Sequence, residues 1–135
     1  MKQILLICAV VMGQSVLAAD KKPLTKEESA KVIEAAIRYE LKNPTGELTK
    51  ADYEKVTQLG LHRSHLTEIP KELEKLNQLK TLWLSDNQLT DVKGLEKFTQ
   101  LTDLNLWNNP DLTKAQIAEL QKALPKCDIF SKLTK

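Results

Sequence analysis

The sequence has few cysteines, glycines and aromatic residues, and its positive and negative charges nearly balance. It contains two cysteines, and Cys8 lies in an apolar leader, so a disulfide-stapled scaffold is excluded. Four scattered glycines cannot build a phosphate-binding loop. The net charge of +2 lacks the basic excess of a dedicated nucleic-acid binder. Hydrophobic residues at 41% and charged residues at 28% are typical of a globular domain.

The first 18 residues have the features of a secretory signal. Lys2 precedes an apolar run that extends to Met12, and Val16 and Ala18 stand at suitable positions for cleavage. The run is far shorter than the ~20 residues that cross a bilayer, which disfavours an uncleaved anchor. A lipoprotein modified at Cys8 is disfavoured because Ile7 is not a small residue. We expect an exported protein, periplasmic or extracellular, with no stable membrane span after cleavage.

An internal repeat of 22–23 residues dominates the second half of the chain. The unit is L-x-x-L-x-L-x-x-N-x-L, with Ser64 replacing the asparagine of the first copy and one extra residue in the third. The three copies are Val56, Leu59, Leu61, Ser64 and Leu66; Leu79, Leu82, Leu84, Asn87 and Leu89; and Leu101, Leu104, Leu106, Asn109 and Leu112. Continuing the period gives a partial fourth copy at Leu124, Cys127 and Ile129, which predicts that Cys127 is buried in a leucine position and has a structural role.

These units resemble leucine-rich repeats over residues 56–130. The segment Ile69-Pro70-Lys71-Glu72-Leu73 is similar to bacterial repeats, and Leu89-Thr90-Asp91-Val92 is similar to the 22-residue internalin-like kind. The resemblance implies a small bacterial secreted protein with an α/β fold, a short solenoid whose parallel strands line a concave face. After the signal peptide (1–18), the chain then divides into a helical N-terminal cap (19–55), three repeats (56–78, 79–100 and 101–123) and a terminal strand (124–135). The C-terminal helix lies in the third repeat.

Capping signals predict the helices. Thr25 and Glu28 form a capping box ahead of an apolar face with helical spacing, which predicts a helix over residues 26–42. The segment Asn43-Pro44-Thr45-Gly46 ends that helix, and a short second helix is expected after Leu48. A further capping box at Thr113 begins a helix that reaches residue 123, and a strand over residues 126–130 follows.

Alternation along the strands assigns the side chains between the leucines to the concave face. The repeat register predicts three rows across this face: Gln58, Thr81, Asp103 and Lys126; Gly60, Trp83, Asn105 and Asp128; and His62, Ser85, Trp107 and Phe130. Both tryptophans then lie on one sheet face as diagonal neighbours. We predict that Trp83, Trp107, Phe130 and His62 anchor a partner and that Asp103, Asn105, Lys126 and Asp128 tune the polarity of the site. The alternative is that the aromatic side chains only cover one another.

No catalytic or metal-binding motif is present in the sequence. His62 and His65 straddle a bend without a neighbouring ligand cluster, so they are expected to be ordinary polar surface residues. The sequence therefore favours a binding module without cofactor, metal or catalysis, which recognises a protein partner and acts as a monomer rather than a homodimer. Three alternatives stay open: a carbohydrate-binding or cell-envelope protein that uses the same face, a hydrolase that uses His62 or His65, and a shortened repeat array with little function of its own.

Overall fold

The structure is a computed structural model that describes residues 24–131, and the predicted export signal (1–18) lies outside the described residues. Within this range, three α-helices and four short strands follow one another. They are α1 (Lys26–Leu41), α2 (Lys50–Lys55), β1 (Gln58–Gly60), β2 (Thr81–Trp83), β3 (Asp103–Asn105), α3 (Lys114–Ala123) and β4 (Asp128–Phe130). Two short 3₁₀ helices, Lys71–Lys75 and Leu95–Lys97, connect β1 to β2 and β2 to β3.

Helix α1 begins and ends where the sequence predicts. The Thr25 hydroxyl accepts a hydrogen bond from the Glu28 N–H, and the Glu28 carboxylate accepts one from the Thr25 N–H. Lys42 ends the helix in the left-handed conformation, with φ of 55°. Ile33 and Ile37 are buried, so the apolar stripe of α1 joins the core beside β1. The helix expected from the Thr113 capping box is also confirmed, since α3 ends at residue 123.

The four strands form one parallel sheet in the order β1-β2-β3-β4. The central residues Leu59, Leu82 and Leu104 pair in register and are at most 1% exposed. Burial of each such leucine contributes about 1.5–3 kcal/mol to folding. These pairs confirm the predicted register of the first three repeats. The parallel sheet also confirms the predicted α/β solenoid.

Buried asparagines connect successive repeats. The Asn87 Oδ1 accepts hydrogen bonds from the N–H groups of Ser64 and Leu66 in the preceding repeat, both at 3.0 Å. Its Nδ2 donates to the carbonyl groups of Leu61 and Leu84. Asn109 reaches the Leu84 carbonyl in the same way. An asparagine at this position therefore hydrogen-bonds the backbone of its own repeat and of the preceding one. The first repeat has no preceding repeat to bridge, and there Ser64 takes the place of the asparagine.

The predicted register of the last repeat is wrong. The period places Cys127 beside Leu104, Lys126 beside Asp103 and Phe130 beside Trp107. In the structure Ile129 pairs with Leu104, and the remaining pairs are Asp103 with Asp128 and Asn105 with Phe130. The ten-residue α3 takes up more residues than the 3₁₀ turns of the other repeats, which moves the strand along by two residues.

Cys127 and Lys126 consequently precede the terminal strand, which begins two residues later than the predicted strand over residues 126–130 and ends at Phe130 as predicted. Cys127 is still buried, at 3% exposure. Its N–H donates to the Leu124 carbonyl, as the Leu101 N–H donates to the Phe98 carbonyl one repeat earlier. Cys127 therefore fills the apolar position before the strand rather than the central position within it.

Candidate functional site

The sheet pairing brings the predicted partner-binding residues other than Lys126 onto one face, opposite to the buried leucines. The structure arranges this concave face as two rows across the strands: Gln58, Thr81, Asp103 and Asp128; and Gly60, Trp83, Asn105 and Phe130. The pairing continues beyond the strands, because the Leu61 and Arg63 N–H groups donate to the Trp83 and Ser85 carbonyls. The Leu84 and Asp86 N–H groups donate in the same way one repeat later, so a third row consists of His62, Ser85 and Trp107.

Trp83 and His62 both lie over Gly60. A methyl group on Gly60 would be 3.7 Å from the Trp83 Cε3 and 3.5 Å from the His62 Cε1. The missing side chain therefore leaves room for two rings above β1. Trp83 is half-buried in this arrangement, while His62 remains exposed.

Trp107 and Phe130 are more open than Trp83. Trp107 is 43% exposed and Phe130 is 66% exposed, although most large apolar side chains of the described chain are buried. The Asn105 Oδ1 accepts the Trp107 backbone N–H at 2.9 Å. Asn105 therefore orders the chain at Trp107, which is a structural contact in addition to the polar role that the sequence predicts for it.

The acidic side chains of the concave face lie together. Asp103 and Asp128 are direct neighbours on β3 and β4, and the Asp103 Oδ2 accepts a hydrogen bond from the Thr102 hydroxyl. Burial raises the pKa of the nearby Cys127 thiol to about 11, and the negative charges of the two aspartates add to this effect. Such a thiol is protonated at neutral pH and is a poor nucleophile. Lys126 lies just outside this pair in sequence, before β4.

The two histidines are placed at the bend that follows β1. Both are exposed, and His65 has a φ of 58°.

Within residues 24–131, no group of three or more His, Cys, Asp or Glu side chains is arranged to hold a metal ion. Every helix in the same range is too short or too polar to cross a membrane. Outside the concave face, Tyr39 on α1 is the one large apolar side chain of comparable exposure in the described range, at 82%. No repeat or motif in the sequence marks this residue.

Comparison with known proteins supports the repeats. A family model described as leucine-rich repeats in two copies matches residues 77–122. The mouse leucine-rich repeat and WD repeat-containing protein 1 is 38% identical over 72 residues, which are 53% of this chain and 11% of the mouse protein. The chain thus spans about a tenth of the length of that relative. The parallel four-stranded sheet and these matches are consistent with a short α/β solenoid of leucine-rich repeats.

Proposed function

We propose that this protein is an exported binding module that recognises a protein partner through its concave face, without catalysis. Leucine-rich repeats generally mediate protein–protein interaction and are typically non-catalytic scaffolds. The observation that carries the proposal is the exposure of Trp107 and Phe130 on the sheet face that also holds Trp83. Export is supported by the sequence of residues 1–18.

Aromatic side chains on a rigid face are well suited to bind a protein. They bury a large apolar area and lose little conformational entropy, which is why Trp and Tyr dominate the binding energy of many interfaces. The backbone beneath Trp107 is held by the Asn105 side chain and by the N–H of Asp86, which donates to the Trp107 carbonyl at 2.9 Å. A partner would therefore meet a preformed surface. Four short strands make it small, so we expect modest affinity.

A double substitution tests this function. Trp83→Ala with Trp107→Ala should abolish the capture of envelope or extracellular proteins on the immobilised full chain. Tyr39→Ala is the matched control, because it removes an exposed aromatic ring from α1 without changing the concave face. The urea midpoints of both variants are compared with that of the wild type. Capture that survives the double substitution, in a variant that is still folded, contradicts the proposal.

Two further measurements separate the alternatives. If iodide quenches the tryptophan emission of the monomer, the aromatic face is open. If the emission is protected from iodide, the rings only cover one another. Retention on polysaccharide or peptidoglycan that depends on Trp107 would replace the protein partner with a carbohydrate or envelope ligand.

Amino-terminal sequencing of exported protein tests cleavage after residue 18.

A further inference from the structure

The two edges of the sheet differ. The edge at β1 is covered by α1, whose Glu40 carboxylate accepts a hydrogen bond from the Gln58 side chain at 3.2 Å. At the other edge, no described residue pairs with the outer side of β4. Ile129 occupies the position that is fully buried in the other three strands, yet it is only half-buried. Within residues 24–131, β4 is therefore an edge strand that no other segment covers.

The backbone of β4 has hydrogen-bonding groups available at this open edge. The Asp128 N–H donates to the Thr102 carbonyl at 2.8 Å, and the Phe130 carbonyl accepts from the Leu106 N–H at 2.6 Å. Alternate residues of a strand direct these groups to opposite sides, so the N–H and C=O of Ile129 point away from β3. Unpaired groups of this kind are a template for another strand.

Charge and exposed apolar surface identify the chemistry of that strand. Asp103 and Asp128 lie side by side on the concave face, and neither forms an ion pair with a basic residue of the described range. Phe130 is two residues from Asp128 on the same face. An added strand therefore meets a carboxylate and an aromatic ring on one face, and the half-buried Ile129 on the other.

We propose that the open edge of β4 binds an extended basic segment of a partner protein as a fifth strand. A Lys or Arg of that segment faces Asp128, an apolar residue two positions away faces Phe130, and the apolar residue between them covers Ile129. A second copy of this chain fits less well, because antiparallel pairing about Ile129 would add two more carboxylates to the same face. This site shares Phe130 and Asp128 with the concave face, but it uses neither Trp83 nor Trp107, so the two proposals can be tested separately.

A synthetic peptide tests the proposal. The probe is acetyl-Ser-Lys-Val-Phe-Val-Lys-Ser-amide, which presents Lys, Phe and Lys on one face in either strand direction. Titration into the ¹⁵N-labelled full chain should shift the Ile129 amide resonance. We expect Asp128→Lys to weaken binding about tenfold, since a favourable charge pair becomes repulsive. Glu47→Lys is the matched control, because it makes the same charge change at an exposed position in the loop before α2 and should leave the affinity unchanged.

Controls on the peptide avoid any effect on folding. Methylation of the amide nitrogens of the phenylalanine and of both valines removes the N–H that faces the Ile129 carbonyl in either strand direction, so it should abolish binding. Replacement of both lysines by glutamate should weaken binding strongly. Ile129→Pro, which removes the outward N–H, should also abolish binding if urea shows that the variant is folded. Trp83→Ala with Trp107→Ala should not change the affinity for this peptide, so the two binding proposals fail independently. Equal binding of the methylated or the glutamate peptide overturns the proposal, as does a concentration-dependent dimer that protects the Ile129 amide.

Discussion

Replacement of Asn87 by alanine should be among the most destabilising single changes in this protein. The side chain makes five hydrogen bonds to the backbone: two to N–H groups of the preceding repeat, and three to carbonyls, those of Leu61, Leu84 and Ser85. Alanine makes none of these bonds. Asn87 is 4% exposed, so water does not readily replace the lost partners.

The cost follows from the groups left unpaired. The Leu84 carbonyl still accepts a hydrogen bond from the Asn109 Nδ2 at 2.9 Å, so it remains satisfied. The Ser64 and Leu66 N–H groups and the Leu61 carbonyl lose the bonds that Asn87 makes. An unsatisfied buried group costs about 1–3 kcal/mol, and Ser64 is partly accessible, so we expect a total loss of about 3–5 kcal/mol. A domain of this size has a free energy of unfolding of about 5–15 kcal/mol, so the variant would lose about a fifth of it or more.

Urea unfolding measures this loss directly. Asn77→Ala, at an exposed asparagine, is the control and should change the free energy of unfolding by less than about 0.5 kcal/mol. Asn87→Asp keeps the two acceptor contacts but brings a charge against the carbonyls, which raises its pKa in the folded state. Its stability should therefore be highest at acidic pH and fall as the pH rises through that pKa. A loss below about 1 kcal/mol for Asn87→Ala, with an unchanged urea dependence, would refute the bridging role.

Three smaller predictions concern backbone conformation and the thiol. Lys42→Gly should raise the free energy of unfolding by about 0.5–1 kcal/mol, because it relieves the left-handed conformation that ends α1; a lower melting temperature contradicts this. Arg63→Asn should also raise the free energy of unfolding by ~0.5–1 kcal/mol, because asparagine tolerates the left-handed φ of 55° better than arginine does. The exposed Arg63–Asp86 ion pair that is lost, at 3.8 Å, contributes little; an unchanged urea midpoint contradicts the prediction. Because the Cys127 pKa is about 11, little thiolate is present at pH 8 in the folded protein. A thiol reagent should therefore label Cys127 at least about 100-fold more slowly in the native protein than in urea, and fast labelling of the native protein contradicts its burial.

The repeated core was predictable because it obeys a simple spacing. Leu59, Leu82 and Leu104 occupy equivalent positions, and each must be buried between neighbouring turns. The capping boxes at Thr25 and Thr113 were readable for a similar reason, since each needs only residues three positions apart. These parts of the fold depend on local patterns that the sequence displays directly.

The last repeat was not predictable from the period alone. Cys127 and Ile129 are both apolar and two residues apart, so two registers satisfy the alternation equally well. The length of α3 decides between them, because it determines where the strand reaches β3. The position of Phe130 beside Asn105 follows from that packing. The half-buried state of Trp83 depends on the space above Gly60, which repeat spacing does not reveal.

The side chains of the middle row become more exposed toward the end of the solenoid. Gly60 on β1 has no side chain, Trp83 on β2 lies partly over it, and Phe130 on β4 is the most exposed of the large side chains in the row. Trp83 therefore buries part of its apolar area within the fold, whereas most of the Phe130 side chain remains exposed. Phe130 also lies next to the outward N–H and C=O of Ile129, so it belongs to both the concave face and the open edge. A partner segment that pairs with β4 could extend over Phe130 toward Trp107 without any change in the sheet, which makes this end of the molecule the place where the two surfaces can act together.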